Sequence, residues 1–294
     1  MSDGFALLGS HLGDPQRRIL SPAQLRELTK RMRNMQLPDR QRELTQEDFR
    51  AMGYSRDMAQ HLLALLSDRD LLAAYVAWGE KRDCHPLTRG EKSYPPLVRK
   101  RLGGESPACF FYKGERALLE LPMVCLVGSR DLLPENREFA REAGRQAAKN
   151  GLVLVSGNAR GADRAAQEGC LEAGGKVISV VADSLAEKPL RSNVLYLSLE
   201  DYDAPFSPMR AHSRNWVIHT MGRATLVCQC TLGTGGTWSG TTRNLREGWS
   251  PVLCFNDGSP ASRELEQLGA RLVAYSELAN LPDLLEIPMG FLPI

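Results

Sequence analysis

The octapeptide Ser156-Gly157-Asn158-Ala159-Arg160-Gly161-Ala162-Asp163 has the residue types of an anion site. It follows the apolar run Leu152-Val153-Leu154-Val155 and leads into an alanine-rich stretch of helical pattern. A strand that stops at a glycine-rich turn and restarts as a helix leaves backbone N–H groups free at the helix N-terminus, where they hold a phosphate or another anion. A second run, Met123-Val124-Cys125-Leu126-Val127, ends the same way in Gly128-Ser129-Arg130. On neighbouring parallel strands the two turns would form one floor. Glycine lets an anion approach the backbone, and the serine hydroxyl with the forks of Arg130 and Arg160 can bind its oxygens.

Two further segments are expected at the same edge. One is Ser213-Arg214-Asn215, early in a helix. The other is Gly233-Thr234-Gly235-Gly236-Thr237-Trp238, which follows the apolar Leu226-Val227-Cys228-Gln229. Asp163 reads as a helix cap or an arginine partner, and Trp238 as a core residue or a platform for a base. The first turn lacks the three glycines of the dinucleotide fingerprint, which disfavours a nicotinamide cofactor, and no cofactor is expected. The turn residues assemble no pair of carboxylates, no Ser/His/Asp set and no metal cluster. Donors and positive charge without a nucleophile or general base indicate binding rather than catalysis.

Composition narrows the class. A chain of 294 residues with 43% hydrophobic residues fits one large domain and a small one. The formal net charge of +2 is nearly neutral, so a polyanion must be met by a local patch. Seven cysteines occur without a CxxC pair and read as buried thiols. The five histidines show no ligand spacing. No signal peptide and no membrane-length apolar run is seen, so a cytoplasmic protein is expected.

The elements that would position these turns follow from pattern. Residues 1–20 read as a tail. Residues 21–83 read as a small all-helical domain whose helices are opened by Ser21-Pro22, Thr45 with Asp48, Ser55 and Asp68, with Pro38 closing the first. The short helices joined at Gly53-Tyr54 resemble a helix-hairpin-helix or SAM-like unit. Such a unit either binds DNA or serves packing and dimerisation. Ser93-Tyr94-Pro95-Pro96-Leu97 reads as a turn and 109–112 as a short strand. Residues 84–290 read as one Rossmann-like domain, transitional up to 122 and from Met123 on a pattern of strand, turn, helix, repeated. Strands are expected at 123–127, 152–155, 176–181, 224–229, 251–255 and 271–274. Helices are expected at 134–149, 162–173, 210–221, 238–247, 260–268 and 277–285. Continuous Val, Leu and Ile runs indicate strands buried on both faces. The fold class is α/β: a Rossmann-like, doubly wound, mostly parallel sheet, with ligands beyond the strands' carboxyl ends.

These motifs, in this order, resemble the DprA/Smf family of DNA-processing proteins from about Leu44 to Leu285. The resemblance rests on Tyr94-Pro95 with Leu97, Pro107, Phe111-Tyr112-Lys113-Gly114, Val127 to Arg130, Ser156 to Asp163, Gly174-Gly175-Lys176-Val177-Ile178 with Val180, Ser213-Arg214-Asn215 and Gly235-Gly236-Thr237. It implies a non-enzymatic homodimer that binds and protects single-stranded DNA in a positive pocket and loads a RecA-type recombinase in natural transformation. The implied contacts are Gly128, Ser129, Arg130, Ser156, Gly157 and Arg160, then Arg214, Asn215 and Gly236. Gly161, Gly235 and Thr237 complete the expected phosphate-binding set.

The chain departs from the family pattern in places. Gln167 stands where the family commonly has histidine. Trp216 replaces the second arginine of Arg-Asn-Arg. The usual Tyr-Pro-x-x-Asn is echoed only by Pro189 and Asn193. No winged-helix domain is expected after 285. A divergent member could serve genome maintenance or phage defence. The alternative reading is a nucleoside monophosphate hydrolase-like enzyme or a nucleotide-sensing module. The hydrolase form needs a carboxylate just after the glycine-threonine turn, and the next acid here is Glu247.

Overall fold

The computed structural model describes residues 2–35 and 43–286. Pro38 and the expected domain end at 290 lie outside them. The chain opens with α1 (Ser2–Gly9), α2 (Pro22–Asn34), α3 (Gln46–Ala51), α4 (Arg56–Ser67) and α5 (Arg69–Glu80). Ser21, Thr45 and Ser55 cap α2, α3 and α4 through their side chains, as their sequence positions predict. Then come β1 (His85–Thr88), α6 (Pro96–Leu102), β2 (Cys109–Gly114) and β3 (Met123–Val127). The repeating part continues with α7 (Pro134–Lys149), β4 (Val153–Ser156), α8 (Ala162–Glu172), β5 (Lys176–Val181), β6 (Val194–Ser198) and α9 (Pro208–Met221). It ends with β7 (Thr225–Val227), α10 (Gly235–Glu247), β8 (Val252–Phe255), α11 (Pro260–Gln267), β9 (Arg271–Val273) and α12 (Leu281–Leu285).

The strands form a nine-stranded sheet of order β1-β2-β6-β5-β4-β3-β7-β8-β9. Pairing is parallel from β6 across to β9, and antiparallel where β2 meets β6 and β1. From β3 the chain winds outward through β4, β5 and β6, then returns and winds the other way from β7. The switch point therefore lies between β3 and β7, where a doubly wound sheet opens its crevice. Alternate residues of β3 enter different cores. Val124 and Leu126 pack on the α7–α8 side, while Met123, Cys125 and Val127 pack with Val217, Ile218 and Met221 of α9. All seven cysteines are free and buried, matching the reading from sequence.

Several expectations are corrected. The described residues 2–20 are not the tail expected for 1–20. Within them α1 places Ala6 and Leu7, with Leu12 just beyond it, in the core that contains β3. Gly4 and Gly9 weaken the helical pattern there, and burial rather than propensity makes the helix. Of the helical region, α5 also joins that core. Tyr75 stacks on Tyr202 at 4.3 Å and meets Phe111 edge-on. A separate cluster gathers Leu25, Leu28, Phe49, Ala59, Leu62 and Leu65 from α2, α3 and α4. Pro96 begins α6 instead of lying in a turn, since proline suits a helix's first position. The expected helix 277–285 is a 3₁₀ turn at Tyr275–Asn280 followed by α12.

Two strands were missed. β1 contains Pro86, which an edge strand tolerates. β6 follows β5 with no intervening helix, so the strand–helix rhythm breaks there.

Candidate nucleic-acid interface

The β3–α7 and β4–α8 turns are in backbone contact. The Ala162 amide at the start of α8 donates to the Ser129 carbonyl at 3.1 Å, and the Ser129 amide donates to Gln229, beyond β7, at 2.9 Å. Gly161 has φ of +84°, and a Cβ there would overlap the carbonyl oxygens of Ser129 and Arg130. Gly128 faces the Cys228 thiol and the Ala162 methyl with no room for a side chain. The helices behind the turns are equally close. A Cβ on Gly144 of α7 would overlap the Ala166 carbonyl oxygen, and one on Gly169 of α8 would overlap that of Arg141. Glycines at this crossing bring the N-termini of α7 and α8 side by side.

In front of them is a cleft of about 400 Å³ lined by Arg130, Asp131, Arg137, Arg160, Gly161, Arg164 and Glu168 among others. The structure thus brings Arg130 and Arg160 to one floor and adds Arg137 and Arg164, which sequence reasoning missed. Their signal was available: each sits at the start of a helix that begins at a strand's carboxyl end. Arg160 pairs with Asp131 at 3.0 Å. Both are well exposed, so the pair is weak and an anion can compete for the arginine.

Five helices start at this edge: α7, α8, α9, α10 and α11. Ser207 and Ser259 cap α9 and α11 through their hydroxyls, whereas α7, α8 and α10 have no side-chain cap. These three flank the switch point. Apart from the Ala162 amide, taken by Ser129, and Pro134, which has no N–H, first-turn amides without a side-chain cap, with the partial positive charge of the helix end, suit a bound anion. At α10, Gly235 has φ of +85° with open space where a side chain would be, and Thr237 is half-buried in the first turn. The Asn215 side chain donates to the Gly236 carbonyl at 3.3 Å, tying α9 to this turn. Trp238 packs against the α9-side core, which agrees with the packing alternative.

Two residues expected to face a ligand lie beneath the surface instead. Ser156 is fully buried, and its hydroxyl accepts from the Gln167 amide at 2.7 Å. That amide also donates to the Gly157 carbonyl at 2.7 Å, which takes a second bond from the Ser179 hydroxyl at 3.0 Å. Arg214 is 7% exposed. Asp163 draws it inward, with Nη2 3.5 Å from Oδ2, and Gly157 has no side chain to exclude it. Asp163 is therefore the arginine partner and not a cap of α8. Its Oδ2 also accepts from the Ala159 amide at 3.2 Å. Burial pushes the Asp163 carboxyl above the usual range. Arg214 and the amides of Ala159 and Gly157 oppose that shift.

Among the described residues no group of three or more His, Cys, Asp and Glu side chains could hold a metal ion, and no helix is long and apolar enough to cross a membrane. The doubly wound sheet places the protein in the Rossmann-like α/β class, and its switch point presents uncapped helix ends and a cleft with four arginines, features that suit an anion. The family model described as DNA recombination-mediator protein A matches residues 85–276, and the chain belongs to that family.

DNA processing protein DprA of Streptococcus pneumoniae is 31% identical over 183 residues, which cover 58% of this chain and 64% of that protein. Protein Smf of Synechocystis is 25% identical over 199 residues, covering 62% and 49%. The chain thus spans less than two thirds of the length of the curated relatives it matches. The fold agrees with the X-ray structure of DprA from Streptococcus pneumoniae (TM-score 0.69, 24% identity, 90% of this chain and 94% of that one). It also agrees with the structure of DNA processing protein A from Helicobacter pylori, described for its single-stranded DNA binding mode (TM-score 0.56, 22% identity, 69% and 95%).

Proposed function

We propose that this protein binds single-stranded DNA by its sugar-phosphate backbone along the carboxyl edge of the sheet and acts by binding, not by turnover. The observation that carries the reading is the contact between the β3–α7 and β4–α8 turns, which gathers Arg130, Arg137, Arg160 and Arg164 into one open cleft. The two carboxylates there, Asp131 and Glu168, lie among these cations, and Asp131 is paired with Arg160. Membership of the recombination-mediator family supports nucleic acid over a free mononucleotide. So does the single-stranded DNA binding mode described for the Helicobacter pylori protein. The same kinship supports a homodimer that protects incoming single strands and loads a RecA-type recombinase during transformation.

Fluorescence anisotropy with an oligothymidylate over a salt series tests the reading. Backbone contacts predict that log K falls with log salt by about 0.7 per phosphate neutralised, so four arginine contacts predict a slope of about −3. Arg130→Ala is expected to make that slope shallower by about 0.7. Arg246→Ala, an exposed arginine already paired with Glu247, should leave it unchanged. A salt-independent affinity, equal effects of the two variants, or preferential binding of mononucleotides in calorimetry would overturn the reading.

A further inference from the structure

Beyond the cleft, α9 and α10 run side by side from the same edge and face each other as a ladder. On its first rung the Ser239 hydroxyl lies 3.2 Å from His212 Nε2. On the next, the Arg243 guanidinium carbon lies over the Trp216 ring, 3.7 Å from its centroid, and 5.3 Å from that of Trp249. His212 and Trp216 are one turn apart on α9, as are Ser239 and Arg243 on α10. The ladder begins at the α10 turn, where Asn215 grips Gly236. Arg243 lies seven residues into the helix from that turn, about 10 Å along the axis.

Arg243 differs in its surroundings from Arg160 and Arg214. Arg160 and Arg214 have carboxylate partners. Arg243 is half-buried, its Nε is sealed from solvent without a hydrogen-bond partner, and no ion pair is seen for it among the described residues. A cation held against two indole rings keeps its charge and is restrained in position. Its donors require acceptors, and a planar guanidinium matches the oxygens of a phosphate.

We propose that Arg243, oriented by Trp216, receives a backbone phosphate of the single strand after it passes the α10 N-terminus, so that the α9–α10 groove extends the interface beyond the cleft. This rests on the single-stranded DNA reading given above. It makes the groove a second stretch of the same track, with Trp216 as the positioning residue.

The test uses the full chain and an oligothymidylate. Arg243→Gln should weaken binding three- to tenfold and make the salt slope shallower by about 0.7. Arg243→Lys, which keeps the charge, should restore the slope. If Arg243 only pins α9 to α10, Arg243→Gln lowers the melting temperature while the slope stays at the wild-type value, and the proposal fails. A second measurement needs no variant. Wild-type protein is treated with an arginine-specific dicarbonyl reagent with and without the oligonucleotide, and the sites are mapped by mass spectrometry. Protection of both Arg130 and Arg243 supports the groove. Protection of Arg130 with Arg243 modified equally in both samples overturns the groove alone. Protection of neither overturns the single-stranded DNA reading itself.

Discussion

The Arg214 guanidinium lies directly against the Gly157 backbone: a Cβ on Gly157 would overlap Nη1, Cζ and Nη2 together. The turn after β4 therefore rests on a buried cation. That cation is held from below by Asp163, which also takes the Ala159 amide of the same turn. The glycine thus serves packing beneath the turn as much as approach from above. Arg214 adds positive potential to the floor without reaching the surface.

Gly157→Ala should displace Arg214 from Asp163 and leave a buried carboxylate short of its partner. Unpairing one member of a buried pair is costly, at about 3–5 kcal/mol. The expected result is a clear fall in melting temperature and a loss of oligonucleotide affinity of about tenfold or more, or about 1.4 kcal/mol. Gly4→Ala is the control, because among the described residues the nearest atom to its added methyl is Leu66 Cδ2 at 4.0 Å. Equal melting and binding for the two variants would show that the Arg214 seat is irrelevant.

Gln167 holds the same turn from the other side, donating to both the Ser156 hydroxyl and the Gly157 carbonyl. Gln167→Glu replaces the donor with an acceptor and sets a carboxylate oxygen against that carbonyl. A buried acceptor left unsatisfied costs about 1–3 kcal/mol. Gln167→Glu is thus expected to bind oligonucleotide more weakly than Gln167→Met, which removes the bond without adding charge. Anisotropy at low salt ranks the three proteins. A ranking with Glu equal to wild type would remove Gln167 from the support of the turn.

Much of this arrangement was legible before the structure. The two glycine turns, their strands and their helices stand out because each is a local signal: an apolar run, a Gly-rich break, an alanine-rich restart. The α/β class follows from their repetition. What sequence concealed was direction and depth. Arg214 and Arg160 are both arginines beside motif residues, yet one is buried on Asp163 and the other lies open at 68% exposure. What decides that is the meeting of Arg214 with Asp163 at the carboxyl edge, where α8 and α9 come from opposite faces of the sheet. Ser156 is a strand residue, and the pleat turns its hydroxyl inward to Gln167. The helix starts that carry Arg137 and Arg164 are visible in the sequence, but that the two meet in one cleft is set by the close helix crossing at Gly144 and Gly169. α1 escaped notice for the opposite reason: its local signal is poor, and its helix exists because Ala6 and Leu7 have a core to enter.

His219 gives a prediction about stability instead of binding. It sits fully buried on α9, where burial holds its imidazole down to about 3 from the usual 6.5. Asn244 fixes its tautomer. The Asn244 carbonyl oxygen takes the Ser250 amide at 2.8 Å, so its NH₂ faces His219 Nδ1 at 3.3 Å, and that nitrogen must be the acceptor. Between pH 6.5 and 3 the unfolded chain binds a proton at this residue and the folded chain does not. The contribution is complete above 6.5 and is lost as the pH falls through that window, at about 1.4 kcal/mol per unit. Urea unfolding at about pH 7.5 and about pH 5.5 should therefore show a loss in wild type about 1.4 kcal/mol larger than in His219→Gln, whose amide does not titrate. The comparison is of the pH-dependent loss and not of absolute stability, because the variant also perturbs the bond to Asn244. Parallel losses in the two proteins would mean that His219 becomes protonated in the folded state.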